Sequence, residues 1–299
     1  MTPEDQSASS NTPESQGYWV SAWMRLRGNR VAMASGIIVV LMAALVTLSP
    51  LLAPYDINAQ DLELGASPPS GAHWLGTDEL GRDQLTRLLF GGRISILVGV
   101  CATLVSLIIG VTYGCVSGYI GGRTDAIMMR LVDVLYAIPF TVFVIVLMVA
   151  FGTDLILMFF AIGAVEWLTM ARIIRGQVMS IRQQTFVQAA VALGYSRRRI
   201  IFRHVMPNVM GPIVVFTTLT VPQVMLLESF LSFLGLGVQP PQSSWGLLIR
   251  DGARLMESFP WLLIAPGVAL SVTLFALNAL GDGLRDALDP RFTASRGSK

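Results

Sequence analysis

Charge is what this chain has least of. Only 13% of its 299 residues are Asp, Glu, Lys or Arg, against about a quarter in soluble globular domains. Meanwhile 53% are hydrophobic and mean hydropathy is +0.63. A core of this size cannot absorb so much apolar surface, so much of it must face lipid. Lysine is nearly absent, the only one being Lys299. A phosphate-binding loop needs a Gly-rich turn followed by Lys, so ATP hydrolysis on this chain is excluded. Two histidines, His73 and His204, offer no metal-ligand set. Cys101 and Cys115 share one apolar segment; on a helix they lie roughly 21 Å apart, too far for a disulfide. A net charge of +2 is too small to suggest a nucleic-acid partner. No apolar core of signal-peptide type occurs in the first thirty residues, and residues 1–16 read as a disordered tail.

What the chain does have is long apolar runs. Six stretches approach or exceed the length needed to cross about 30 Å of hydrocarbon as helices: 31–53, 94–119, 131–151, 155–171, 209–231 and 261–280. The fourth is the shortest. The first, second and sixth carry no charge, while the others hold Asp133, Glu166 and Glu228. Basic residues stay on the cytoplasmic side. With the N-terminus inside, 16 of the 21 Lys and Arg residues fall in inward segments and 5 in outward ones, so both termini are expected in the cytoplasm. The chain then divides into a cytoplasmic tail (1–30), a first span with an external loop (31–93), a core of spans (94–281) and a cytoplasmic tail (282–299). External loops at 54–93 and 232–260 are rich in Pro, Gly and Ser. Ser67-Pro68-Pro69-Ser70 and Gln239-Pro240-Pro241-Gln242 cannot be helical and predict turns.

Inside, one loop is long: 172–208. It reads Gln188-Ala189-Ala190, three residues, Gly194, nine residues, then His204-Val205-Met206-Pro207. Ala189 and Ala190 allow close helix packing, Gly194 suits a helix C-terminal stop, and Pro207 is expected to start the next helix. Between them Tyr195-Ser196-Arg197-Arg198-Arg199 opens a short amphipathic helix with a basic face. Alone, the arginine run fits a loop held by lipid headgroups.

The spacing resembles the "EAA" motif of ABC importer permeases, in which Glu-Ala-Ala is followed at fixed intervals by Gly and by Ile-x-Leu-Pro. Ala189, Ala190, Gly194 and Pro207 match; Gln188, His204 and Met206 depart from the pattern. Three further stretches are similar to signatures of the dipeptide and oligopeptide permeases. They are Gly76-Thr77-Asp78-Glu79-Leu80-Gly81-Arg82-Asp83, Glu228-Ser229-Phe230-Leu231-Ser232-Phe233-Leu234-Gly235-Leu236-Gly237, and Gly281-Asp282-Gly283-Leu284-Arg285-Asp286-Ala287-Leu288-Asp289-Pro290-Arg291. The resemblance covers nearly the whole chain and is nearest to C-type subunits of oligopeptide importers. It implies an all-α integral membrane protein of the bacterial inner membrane, with six transmembrane helices in the MetI-like fold and a cytoplasmic coupling helix. It also implies a homologous B-type permease subunit, two ATP-binding subunits that carry ATP and Mg, and an extracytoplasmic peptide-binding protein. No cofactor is expected on this chain. The coupling residues it indicates are Gln188, Ala189, Ala190, Gly194, Tyr195, Ser196, Arg197, Arg198 and Pro207. Cargo stays open among oligopeptides, dipeptides, cell-wall peptides, glutathione and nickel chelates.

Acids at membrane depth are costly and therefore functional or paired. Glu228 lines an external gate or peptide path, or else bonds the backbone of the following loop. Glu166 lines the path or is capped by a neighbouring helix. Asp133 is expected to pair with Arg130 at i+3, and Pro139 to kink the third span. Asp78, Arg82 and Asp83 predict a tied external loop that orients the second span. The 232–260 loop, with Trp245, Arg250 and Asp251, is the candidate surface for receiving peptide. An ion-driven carrier, the competing class, calls for internal repeats with broken helices, and no convincing repeat is present.

Overall fold

The structure, a computed structural model, describes residues 18–152 and 154–289; the expected disordered tail and residues 290–299 lie outside the described residues. Within these bounds every named element is helical. The amphipathic α1 (Tyr18–Gly28) precedes α2 (Arg30–Thr47), whose first turn is fixed by the Asn29 side chain accepting the Val31 and Ala32 N–H groups at 3.1 Å. A short α3 (Ser49–Leu52) leads into the loop 53–83. Next come α4 (Gln84–Ile120), α5 (Gly122–Tyr136), α6 (Phe140–Phe151) and α7 (Leu155–Arg182). A cluster of short elements follows: α8 (Thr185–Ala192), α9 (Arg197–Ile200) and a π-helical turn (Ile201–Val205). Completing the chain are α10 (Met206–Phe233), α11 (Trp245–Arg254) and α12 (Trp261–Leu288).

Five helices are long and apolar enough to cross a membrane, and a sixth span forms if the bent pair α5–α6 counts as one. Three expectations about these spans change. The third is not a kinked single helix: the chain breaks at 137–139 and its two parts meet at 78°. Pro139 supplies no N–H and pushes Ile138 out of helical geometry, which ends α5 there. The fourth is not short. α7 runs to Arg182 because Arg172 and Arg175 stay on the helix, each tied to an acid on α5, so the long loop shrinks to 183–205. Likewise α12 continues past 281 to Leu288. Asp133 bonds Arg172 at 2.8 Å instead of Arg130, and Arg172 also stacks over Tyr136. A basic residue placed N-terminal to an acid is the weaker helical order, and the cross-helix partner prevails.

Small residues let α4 and α7 approach closely. Without a hydrophobic force between helices in lipid, contact of this kind is what joins them. A Cβ on Gly110 would lie 2.6 Å from the Met170 side chain, one on Gly114 2.6 Å from the Ala171 carbonyl oxygen, and one on Gly118 2.8 Å from that of Arg175. From α7 the fit is returned by Gly163, whose Cβ would meet the Ala102 carbonyl at 3.0 Å. The spacing Gly110, Gly114, Gly118 is the small-xxx-small pattern and is legible in the sequence.

The bundle has two distinct ends. At one, Arg25 donates to the Ala287 and Asp289 carbonyls, Gln188 to the Arg182 carbonyl, and Trp19, Gln184, Pro207 and Arg285 border one cavity. This basic end gathers the segments expected to lie inside. At the other, Gln84 donates to Leu262, and Trp245 packs against Gly92 and Val46.

Candidate functional site

At the basic end the loop 183–205 is built from local rules. α8 stops in the geometry that a left-handed residue permits: Gly194 has φ +75°, its N–H donates to Val191 at 3.0 Å, and the Tyr195 N–H reaches Ala190 at 3.2 Å. Those paired bonds satisfy the last carbonyls of α8. Ser196 then caps α9, its hydroxyl accepting the Arg199 N–H. The expected amphipathic helix opens here, its first turn leaving Arg197, Arg198 and Arg199 exposed and Ile200 buried. Tyr195 lies beneath the Arg199 guanidinium at 4.3 Å and beside the His204 ring. Gln188, the departure from Glu, donates from Nε2 to the Arg182 carbonyl at 2.9 Å and so closes the end of α7. A carboxylate in that place has no proton to give.

Pro207 stands in the first turn of α10, as expected, but the π-helical turn before it runs into that helix without a break. One continuous helix runs from Arg197 to Phe233. Proline lacks an N–H, and its ring crowds the carbonyl four residues back. Here the backbone widens just before it, with the Met206 N–H donating to Ile201, five residues back. Wide turns of this kind recur at functional sites.

One property of the loop escaped the sequence reading. Leu193 is 72% exposed and Phe202 64%, next to the arginines and with Val191 also exposed. Exposed apolar side chains beside a basic turn mark an interaction surface. Ala190 and Val187 of α8 are buried against α7, α10 and the turn.

Glu228 sits at the far end of α10 with no exposed surface. Its carboxyl accepts from the Ser232 hydroxyl at 2.7 Å, from Ser95 at 3.1 Å and from Ser229 at 3.4 Å. Ser95 in turn accepts the Trp245 N–H at 3.1 Å, and Ser244 is 3.3 Å from Ser232. The group faces no open space within this chain; it pins α4, α10 and α11 together. Its partners are side chains rather than the backbone of the following loop. Trp245 is 1% exposed, its indole N–H donating to the Leu88 carbonyl at 2.9 Å. The Trp245 ring therefore offers no receiving surface, a correction that follows from Gly92 making room for it.

The loop before α4 is tied by ion pairs and hydrogen bonds. Asp78 is 5% exposed and holds two cations, Arg82 at 2.7 Å and Arg87 at 2.6 Å, while Oδ1 accepts the Leu80 and Arg82 N–H groups. Asp83 caps α4 through the Thr86 N–H at 2.7 Å and binds His73 Nδ1 at 2.9 Å. Arg87, absent from the expectations, also lies 3.6 Å from Asp251 of α11.

Glu166 is placed differently from either acid cluster. It lines a cavity of about 120 Å3 between α7 and α10, with Thr169, Ile173, Thr220 and Gln223. Among the described residues it has no hydrogen-bond or ion-pair partner, so no neighbouring helix caps it. The nearest basic side chains on α7, Arg172 and Arg175, are occupied by Asp133 and Asp125. Next to it, sharing Phe216 and Leu219, a cavity of about 850 Å3 opens at the basic end, lined by Gln177, Ser180, Gln184 and Asn208.

An all-helical bundle whose long apolar helices suit a membrane, with an exposed basic loop at one end, is the architecture of a membrane component. Residues 110–294 match the family of binding-protein-dependent transport system inner membrane components, and residues 17–69 match the N-terminal transmembrane domain of oligopeptide transport permease C. The chain belongs to this permease family. It is 48% identical to the oligopeptide transport system permease protein OppC of Haemophilus influenzae, over 93% of this chain and 90% of that one. Against OppC of Escherichia coli the identity is 50%, covering 93% of each chain. The dipeptide transport system permease protein DppC of Bacillus subtilis is 45% identical over 96% of this chain and 90% of its own.

Proposed function

We propose that this chain is a permease subunit through which an ATP-driven importer moves oligopeptides, and dipeptides among them, into the cytoplasm. It works beside a homologous B-type permease subunit, receives cargo from an extracytoplasmic binding protein, and is powered by two ATP-binding subunits that hold ATP and Mg. Both termini and the basic end face the cytoplasm. The observation that carries this reading is the loop at that end, where a helix stop at Gly194 sets an exposed Leu193 beside Arg197 and Arg198. Gln188, Ala189 and Ala190 build α8, Tyr195 and Ser196 shape the turn, and Pro207 joins it to α10. Docked in a groove of an ATPase subunit, such a loop carries closure of that subunit into the bundle as rigid-body motion. Asp78, Arg82 and Asp83 keep the external loop seated on α4, and Glu228 holds the external joint.

The test is reconstitution of the four membrane and ATPase subunits in proteoliposomes with the binding protein and labelled trialanine. Uptake is expected to require both ATP and the binding protein. Uptake by this chain alone, driven by an ion gradient, would refute the assignment.

A further inference from the structure

At membrane depth the exposed faces of this chain are not alike. Where α4, α6 and α12 meet their surroundings they present Leu104, Val146 and Phe275, 47%, 57% and 70% exposed. These faces suit hydrocarbon. α7 and α10 expose apolar side chains too, Phe160 and Leu226 among them, but each also presents a polar strip. Glu166, Thr169, Gln177 and Ser180 succeed one another along one face of α7, and Thr220 and Gln223 stand opposite on α10, lining the two adjoining cavities described above. Glu166 lies 11 residues from the outer end of α7, roughly 17 Å along a helix of about 42 Å. An acid and amides at that depth do not face lipid.

We infer that this strip is the chain's wall of the translocation path, and that Glu166 is a station for the terminal ammonium group of the passing peptide. The inference rests on the peptide-importer reading. Peptides of unlike sequence share only their backbone amides, one ammonium and one carboxylate, so a path that passes many of them can bind only these. The strip offers what such a path requires. Thr, Gln and Ser side chains exchange hydrogen bonds with amides in either sense, and the carboxyl of Glu166 accepts from an ammonium. Among the described residues no cation pairs with it, and Arg172 and Arg175 of the same helix are held by acids of α5.

The experiment uses the assembled complex with Cys101→Ser and Cys115→Ala replacing the native thiols and Thr169→Cys as reporter, labelled from the cytoplasmic side of inverted vesicles. A cationic methanethiosulfonate is expected to react about tenfold faster than an anionic one relative to their rates with free thiol. Adding Glu166→Gln should abolish that preference, and Glu166→Asp should keep it. Trialanine should slow the labelling more than N-acetyl-trialanine does, and only while Glu166 is present. In uptake, Glu166→Gln should lower trialanine turnover at saturating loaded binding protein about tenfold, with Glu166→Asp restoring most of it. If Thr169→Cys disturbs assembly, Gln177→Cys reports in its place. No labelling at either position means that the strip is packed against the partner subunit, which overturns the inference. So does a charge preference that survives Glu166→Gln. Failure of wild-type complex to take up trialanine overturns the importer reading instead, and the two results are read separately.

Discussion

A glutamate held only by serine hydroxyls is an unusual joint. Ser95, Ser229 and Ser232 surround Glu228, and no cation enters the cluster. Removing the carboxyl leaves three hydroxyls short of an acceptor and opens a void where three helices meet. Glu228→Ala should therefore destabilise the subunit by about 2–4 kcal/mol, seen as a lower melting temperature of the detergent-solubilised complex. Glu228→Gln keeps an acceptor and the volume, and should assemble normally. Equal melting temperatures for Glu228→Ala and wild type would show that the cluster holds nothing together. The acid was legible in the sequence, since any charge in an apolar run stands out. Its role was not, because Ser95 lies 133 residues away and joins only through tertiary packing. Trp245 misled for a related reason. Its neighbours Pro, Gln and Ser read as surface, and the recess that buries it is supplied by Gly92 of another helix.

Among the elements, the α4–α7 pair and the basic-end loop carry the sharpest expectations. Gly114→Ala places a Cβ 2.6 Å from the Ala171 carbonyl oxygen, where backbone cannot yield, and should cost about 1–3 kcal/mol. Gly267→Ala on α12 meets nothing within 4 Å and is the control. Comparable thermal stability of the two variants would mean that the close approach is not needed. In the loop, Gly194→Val puts a β-branched residue at φ +75°, a cost of roughly 1–2 kcal/mol. It should uncouple ATP hydrolysis from uptake while the complex still forms. Leu193→Asp should weaken association with the ATPase subunits at least tenfold in pull-down titration; unchanged affinity would remove Leu193 from the interface. Element type was readable from apolar length alone, and Gly194 from its position after an alanine-rich helix. Element ends were less so. α7 outlasts its apolar run because Asp125 and Asp133 neutralise its arginines, a long-range fact that residue composition does not encode.

For the molecule as a whole, the expectation concerns sidedness. Phosphatase fusions at Gly71, in the loop before α4, should be active and those at Gly194 inactive, on the orientation proposed above. The reverse pattern would invert the import direction proposed. The helix from Arg197 to Phe233 runs unbroken through the bundle. At 1.5 Å per residue it is a rod of about 56 Å, with the exposed basic turn at one tip and the serine cluster near the other. Pivoting such a rod by about 5° at its middle shifts each tip by roughly 2.4 Å in opposite senses. Closing one end of the bundle and opening the other are then a single displacement, and no relay of side chains has to pass a signal between them.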